Sequence, residues 1–116
     1  MSVTLYHNPS CSKSMATLAL LEAQGVDVDL RLYLEKAPSS IELQKLLAML
    51  GMTDARSLMR KGEAAYKLGQ LAAAQLTQAQ LINAMVDQPK LIERPIVVHQ
   101  GQARIGRPPE SVLEIL

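Results

Sequence analysis

Two β-prone runs, residues 3–7 and 28–33, stand on either side of a stretch of good helix formers that includes Leu18, Leu20, Leu21 and Glu22. Strand, helix and strand in that order make a βαβ unit, whose two strands pair in parallel through a right-handed crossover. Asn8-Pro9 closes the first run as a turn, and Gly25 is placed to stop a helix spanning residues 12–24. In the second run, Val28, Leu30 and Leu32 alternate with Asp29, Arg31 and Tyr33.

The middle of the chain carries helix signals. Ser39 with Glu42 forms a capping box ahead of Leu43, Leu46, Leu47 and Leu50, which share one helical face, and Gly51 ends that helix. Asp54 is a candidate cap for a short helix that ends at Arg60. In it Ala55, Leu58 and Met59 point inward, and Arg56 and Arg60 lie on the solvent side. Leu76-Thr77-Gln78-Ala79-Gln80-Leu81 combines a capping box with a hydrophobic staple and opens another helix that stops before Pro89. Beyond it, Pro95-Ile96-Val97-Val98 reads as a buried strand, Gln100-Gly101 as a tight turn and residues 102–105 as the second strand of a hairpin. Pro109 suits the first turn of a closing helix carrying Val112, Leu113 and Leu116. The order β-α-β, helices, β-β-α is that of an α/β, thioredoxin-like fold with a mixed four-stranded sheet. The helical insert covers about residues 39–88 of a single domain spanning 1–116.

Composition narrows the function classes. At 116 residues and 48% hydrophobic content the chain can form one core without disulfides or structural metals. Twelve basic against 11 acidic side chains, with no Phe or Trp and three Tyr, provide no electrostatic footprint or stacking platform for nucleic acid, and none for a membrane surface. With no run of about 18 apolar residues and no signal peptide, the chain reads as cytoplasmic, where a thiol stays reduced. A monomer is expected.

Cys11 is the single cysteine, and it sits in Asn8-Pro9-Ser10-Cys11-Ser12-Lys13-Ser14 between the first strand and the first helix. A lone cysteine in an arbitrary cytosolic chain is more often a buried core thiol. A turn of Pro, Ser and Asn is a poor place for one, and a helix N-terminus stabilises a thiolate. Lys13 adds a positive charge nearby. The expectation is a reactive, partly exposed sulfur of lowered pKa. Spacing separates the thiol chemistries. Ser14 occupies the fourth position, so no Cys-x-x-Cys disulfide forms. Thr17 stands where the phosphate loop of a low-molecular-weight phosphatase needs an arginine. One Cys and two His do not supply a zinc set, and no metal is expected. Arg94 precedes Pro95 and Arg107 precedes Pro108-Pro109, so their backbones are restricted. Forked guanidinium donors gathered around a thiolate, with Arg60 as a third, would bind a tetrahedral oxyanion. Taken singly, each is more often a surface arginine, and spacing alone does not show that they converge.

Tyr6-His7-Asn8-Pro9-Ser10-Cys11-Ser12-Lys13-Ser14 combines with Leu58-Met59-Arg60-Lys61, Glu93-Arg94-Pro95-Ile96-Val97-Val98 and Arg104-Ile105-Gly106-Arg107-Pro108. Together they resemble the glutaredoxin-coupled arsenate reductases of the ArsC family, most closely its small bacterial YfgD-type members. The resemblance spans almost the whole chain. It implies a thioredoxin-like fold with a helical insert, Cys11 as nucleophile supported by His7, an oxyanion site of Arg60, Arg94 and Arg107, and a supporting loop of Asn8, Ser14 and Pro95. It also implies arsenate as substrate, glutathione as co-substrate with no bound cofactor, and a glutaredoxin as partner. Met15-Ala16 stand where many members have Arg-Asn. Two other readings stay open. One is a glutathione-linked monothiol oxidoreductase with another substrate. The other is an Spx-type regulator that binds RNA polymerase, against which Ser14 argues because that switch generally uses Cys-x-x-Cys.

Overall fold

The first strand, β1 (Ser2–Tyr6), runs into a loop at His7 and then into α1 (Ser12–Ala23) and the second strand, β2 (Asp27–Arg31). The computed structural model describes residues 2–116. β1 and β2 are parallel, with Val3 opposite Val28 and Leu5 opposite Leu30. On its other side β1 pairs antiparallel with β3 (Ile96–His99), Leu5 facing Val97, and β3 returns antiparallel to β4 (Gln102–Ile105). The four-stranded mixed sheet has the order β2-β1-β3-β4, the thioredoxin-like arrangement expected from the element order.

Local chemistry explains where these elements stop. Gly25 adopts φ 71°, its N–H bonds to the Glu22 carbonyl and the Val26 N–H to the Leu21 carbonyl, a Schellman ending that a side-chain-bearing residue would strain. The β3–β4 turn has both central residues, Gln100 and Gly101, at positive φ (49° and 78°), as a two-residue hairpin of the primed type requires. β2 ends at Arg31, two residues short of the run read from the sequence. The Leu32 carbonyl accepts the N–H groups of Glu35 and Lys36, which turns the chain and leaves Tyr33 buried outside the strand. The alternation in β2 does not bury Leu30, which is 51% exposed because β2 is an edge strand. The last element is a 3-10 helix, Pro109–Ile115, rather than an α-helix. With three residues per turn, Val112 and Ile115 share the buried face, whereas Leu113 of the expected helix is exposed. Val112 and Ile115 join Val3, Leu5, Leu21, Val26 and Val97 in the aliphatic core beneath the sheet. His99 donates from Nδ1 to the Ile115 carbonyl at 2.6 Å, tying β3 to that closing turn.

The chain divides into two compact units, the sheet-bearing one ending at Lys36 and resuming over Arg94–Leu116, the other covering Ala37–Glu93. The second is helical: α2 (Ser40–Leu50), a 3-10 turn (Ala55–Leu58), α3 (Ala64–Leu68), α4 (Gln78–Asp87) and a 3-10 turn (Pro89–Leu91). Its caps follow the sequence signals. Ser39 accepts the Glu42 N–H, Thr77 and Gln80 form a reciprocal capping box, and Gly51 closes α2 at φ 72°. Leu43, Leu46 and Leu47 of α2 are buried, as are Leu81, Ile82 and Met85 of α4. Two expectations change here. Arg56 is not solvent-facing: its guanidinium donates to the carbonyls of Leu71 (2.8 Å) and Ala73 (2.6 Å) and pairs with Asp54. The short helix ends at Leu58, not Arg60, because Met59 leaves it to bridge Ile92. Among the described residues no helix is long and apolar enough to cross a membrane.

Leu21 of α1 is fully buried in the aliphatic core of the sheet unit. Leu21→Ala is expected to cost about 3 kcal/mol of unfolding free energy in urea titration; a loss under about 1 kcal/mol would show that α1 does not seal this core.

Candidate active site

Cys11 is the N-cap of α1, at extended dihedrals (φ −99°, ψ 121°) one residue before the helix begins. Its position is set from both sides. The Cys11 N–H bonds back to the Asn8 carbonyl (3.0 Å), and the Cys11 carbonyl accepts the Met15 N–H (3.0 Å) as the first helical bond. Asn8 Oδ1 takes the Ser10 N–H at 3.0 Å, so the loop between β1 and α1 is closed by its own side chain. The geometry turns the orphan N–H groups of the first helical turn toward the sulfur.

The thiol is 7% exposed, so the expectation of a partly exposed sulfur is corrected. Burial pushes its pKa up. Against this work the Ser14 N–H, the Arg94 guanidinium, the Lys13 N–H and the Arg107 guanidinium, and the outcome is a thiol held below its ordinary value. Lys13 therefore contributes its backbone N–H, and the positive charge expected from its ammonium comes from Arg94 and Arg107 instead. Arg107 Nη2 stands 4.0 Å from Cys11 Sγ while its Nε donates to the Arg94 carbonyl at 2.8 Å, which fixes the guanidinium plane. Arg107 is exposed, so its guanidinium is accessible from solvent.

Ser14 is fully buried one turn into α1. Its hydroxyl accepts the Asn8 N–H (3.1 Å) and lies 2.6 Å from His7 Nδ1. His7 is itself 3% exposed, and burial pushes its pKa down, so the imidazole is neutral. A neutral ring can accept at Nδ1, and the Ser14 hydroxyl proton satisfies it. His7 thus reaches the sulfur by orienting Ser14, whose N–H bonds the thiolate, and not by carrying charge. Pro95 follows a cis peptide after Arg94, and Arg107-Pro108 is also cis.

Arg60 lies in the helical unit, where its Nη1 pairs with Glu63 (3.3 Å) and donates to the Lys90 carbonyl (3.4 Å). The sheet unit alone brings together Cys11, His7, Asn8, Ser14, Arg94, Pro95 and Arg107. Two further residues of this region, Thr17 and Gly106, escape a reading by chemistry because neither ionises. The available signal is a glycine directly after a strand and before Arg107.

A single activated cysteine capping the first helix of a βαβ…ββα sheet, faced by two arginines, defines a monothiol protein of thioredoxin-like fold. The sequence pattern of the ArsC family matches residues 6–115, and the chain belongs to that family. It is 51% identical over 116 residues to a protein of Haemophilus influenzae named arsenate reductase, covering 100% of both chains. To a protein of Escherichia coli named YfgD it is 56% identical over 114 residues, 98% of this chain and 96% of that one. A solved structure described as arsenate reductase from Vibrio cholerae superposes with a TM-score of 0.98 at 56% identity, covering 100% of this chain and 98% of that one.

Because the folded thiol has the lowered pKa, the folded state binds fewer protons than the unfolded chain just below the ordinary thiol value. The thiolate's contribution to stability is therefore complete above that value and is lost as pH falls through the folded one. Iodoacetamide labelling of Cys11 against pH is expected to reach half its limiting rate below ~8.5 and to move up in Arg107→Ala; a midpoint at the ordinary value in the unmodified protein would contradict the site's electrostatics. Ser14→Ala leaves the Asn8 N–H and His7 Nδ1 without this partner and is expected to destabilise by about 1–3 kcal/mol in thermal or urea unfolding.

Proposed function

We propose that this protein is an arsenate reductase that works through a Cys11 thiol-arsenate intermediate, with glutathione as co-substrate and a glutaredoxin as electron donor. The observation that carries the reading is the Arg107 guanidinium 4.0 Å from a sulfur that also receives the N–H groups of Lys13 and Ser14. An anion seated on those donors has its central atom next to a thiolate. The names of the Haemophilus influenzae and Vibrio cholerae relatives support the choice of arsenate.

The chemistry runs as follows. Arg94 and Arg107 hold and partly neutralise the arsenate, so that a negatively charged sulfur can approach it. The Cys11 thiolate forms an S–As bond, and one arsenate oxygen takes up a proton and departs as water. Arsenic stays pentavalent in this step. Glutathione then adds its sulfur to arsenic and a second oxygen leaves as water. A glutaredoxin thiolate attacks the glutathione sulfur, the S–As bond to glutathione breaks and its electron pair remains on arsenic, which becomes trivalent. The other product is the glutaredoxin–glutathione mixed disulfide. Water finally displaces Cys11 from arsenic, arsenite leaves and the thiol is restored. With one cysteine in the sequence, Cys11 has no internal resolving thiol, and this is why the electrons come from outside. Such a cycle suits the cytoplasm, where glutathione keeps thiols reduced. No bound cofactor enters any step.

The test is arsenate-dependent NADPH oxidation in the presence of glutathione, glutaredoxin and glutathione reductase. The unmodified protein is expected to turn over, Cys11→Ser to be inactive, and Arg94→Ala or Arg107→Ala to raise the KM for arsenate by about tenfold or more, the loss of one charge-assisted contact. No turnover of the unmodified protein at millimolar arsenate, or full activity in Cys11→Ser, would overturn the reading.

A further inference from the structure

Gly106 follows β4 and precedes Arg107, and it is buried. Its N–H bonds to the Pro95 carbonyl at 2.9 Å, directly beside the Arg107 Nε bond to the Arg94 carbonyl at 2.8 Å. A Cβ at this position would stand 2.5 Å from Thr17 Oγ1 and 2.8 Å from Pro95 Cγ, both far inside van der Waals contact. Thr17 is held in place: it is fully buried in α1, one turn after Ser14, and its hydroxyl donates to the Lys13 carbonyl at 2.9 Å. The backbone at Gly106 therefore lies directly against the helix that presents Cys11 and against the ring that follows Arg94. Its φ is not in the positive region, so close approach and not backbone conformation is what requires glycine here.

We propose that Gly106 is a positioning residue for the thiolate–arginine pair: by carrying no side chain it lets the end of β4 seat on Thr17 and Pro95, and this contact sets the reach of the Arg107 guanidinium to Cys11 Sγ. This deepens the reading of Cys11 as the attacking sulfur and rests on it. A methyl group at 106 must push either the 106–107 backbone or α1 away by several tenths of an ångström. Arg107 would be carried off the sulfur with it. A guanidinium 4.0 Å from the thiolate is sensitive to such a shift, because the charge interaction weakens with distance and water enters the gap.

The experiment compares Gly106→Ala, Thr17→Ala and the double variant with the unmodified protein by three readouts: the pH dependence of Cys11 alkylation, the KM and kcat for arsenate, and the thermal midpoint. Gly106→Ala is expected to move the Cys11 titration up toward the ordinary thiol value and to raise KM by about tenfold or more, with a smaller change in kcat. The double variant is expected to fall between it and Thr17→Ala, since removing Oγ1 leaves only the Pro95 contact. A lowered thermal midpoint with unchanged titration and KM would make Gly106 merely structural and overturn the proposal. If Gly106→Ala does not fold, the double variant against Thr17→Ala decides: the residual Pro95 contact must still raise the titration, and equal curves would overturn the proposal. The alkylation readout needs no arsenate, so failure of the arsenate reading leaves this comparison intact.

Discussion

Everything at the site depends on how the chain leaves β1 and enters α1. A thiolate buried to 7% exposure is unfavourable on its own, and only donors fixed by the fold reverse that. The Asn8-Pro9-Ser10 loop fastens Cys11 as the N-cap, so that the N–H groups of Lys13 and Ser14 point at the sulfur with no reorganisation. The same burial that works against the charge also removes water from around it and strengthens every remaining interaction. His7 and Ser14 add rigidity to this arrangement, since a buried hydroxyl shared between an imidazole and a backbone N–H has little freedom to turn.

The sheet brings the arginines to that sulfur. β3 lies beside β1, so Arg94, just before β3, stands on the side of the sheet where β1 ends. The hairpin then returns the chain through β4 to Arg107, whose hydrogen bond to the Arg94 carbonyl joins the two ends. One sheet order thus explains why residues 11, 94 and 107, remote in sequence, act on one atom. The positive charge is delivered by the half-buried Arg94 and the exposed Arg107.

Most of the fold was legible because its signals are local. Gly25, Gly51, Ser39 and Thr77 each mark a helix end through a hydrogen bond or dihedral that needs only near neighbours. What was not legible depends on tertiary surroundings. Leu30 has the alternation of a half-buried strand, and only the position of β2 at the edge of the sheet leaves it exposed. Arg56 reads as a surface residue, but the carbonyls of Leu71 and Ala73 come to it from a segment of irregular chain without sequence periodicity. The closing helix has a period of three residues instead of 3.6, which buries Ile115 and leaves Leu113 exposed, and its local sequence does not decide between the two periods. At the site, Cys11 was legible from its loop, whereas the replacement of the Lys13 charge by Arg94 and Arg107 follows from the sheet order and was not.

The proposed cycle requires that the fold hold Cys11 as a thiolate facing an oxyanion seat. The most direct measurement is the alkylation rate of Cys11 at neutral pH as arsenate is added. A fast rate that arsenate suppresses in a saturable manner is the expected result, with the suppression weakened when Arg107 is replaced by Ala. A slow rate typical of an unperturbed thiol, or a fast one that arsenate leaves unchanged, would contradict it.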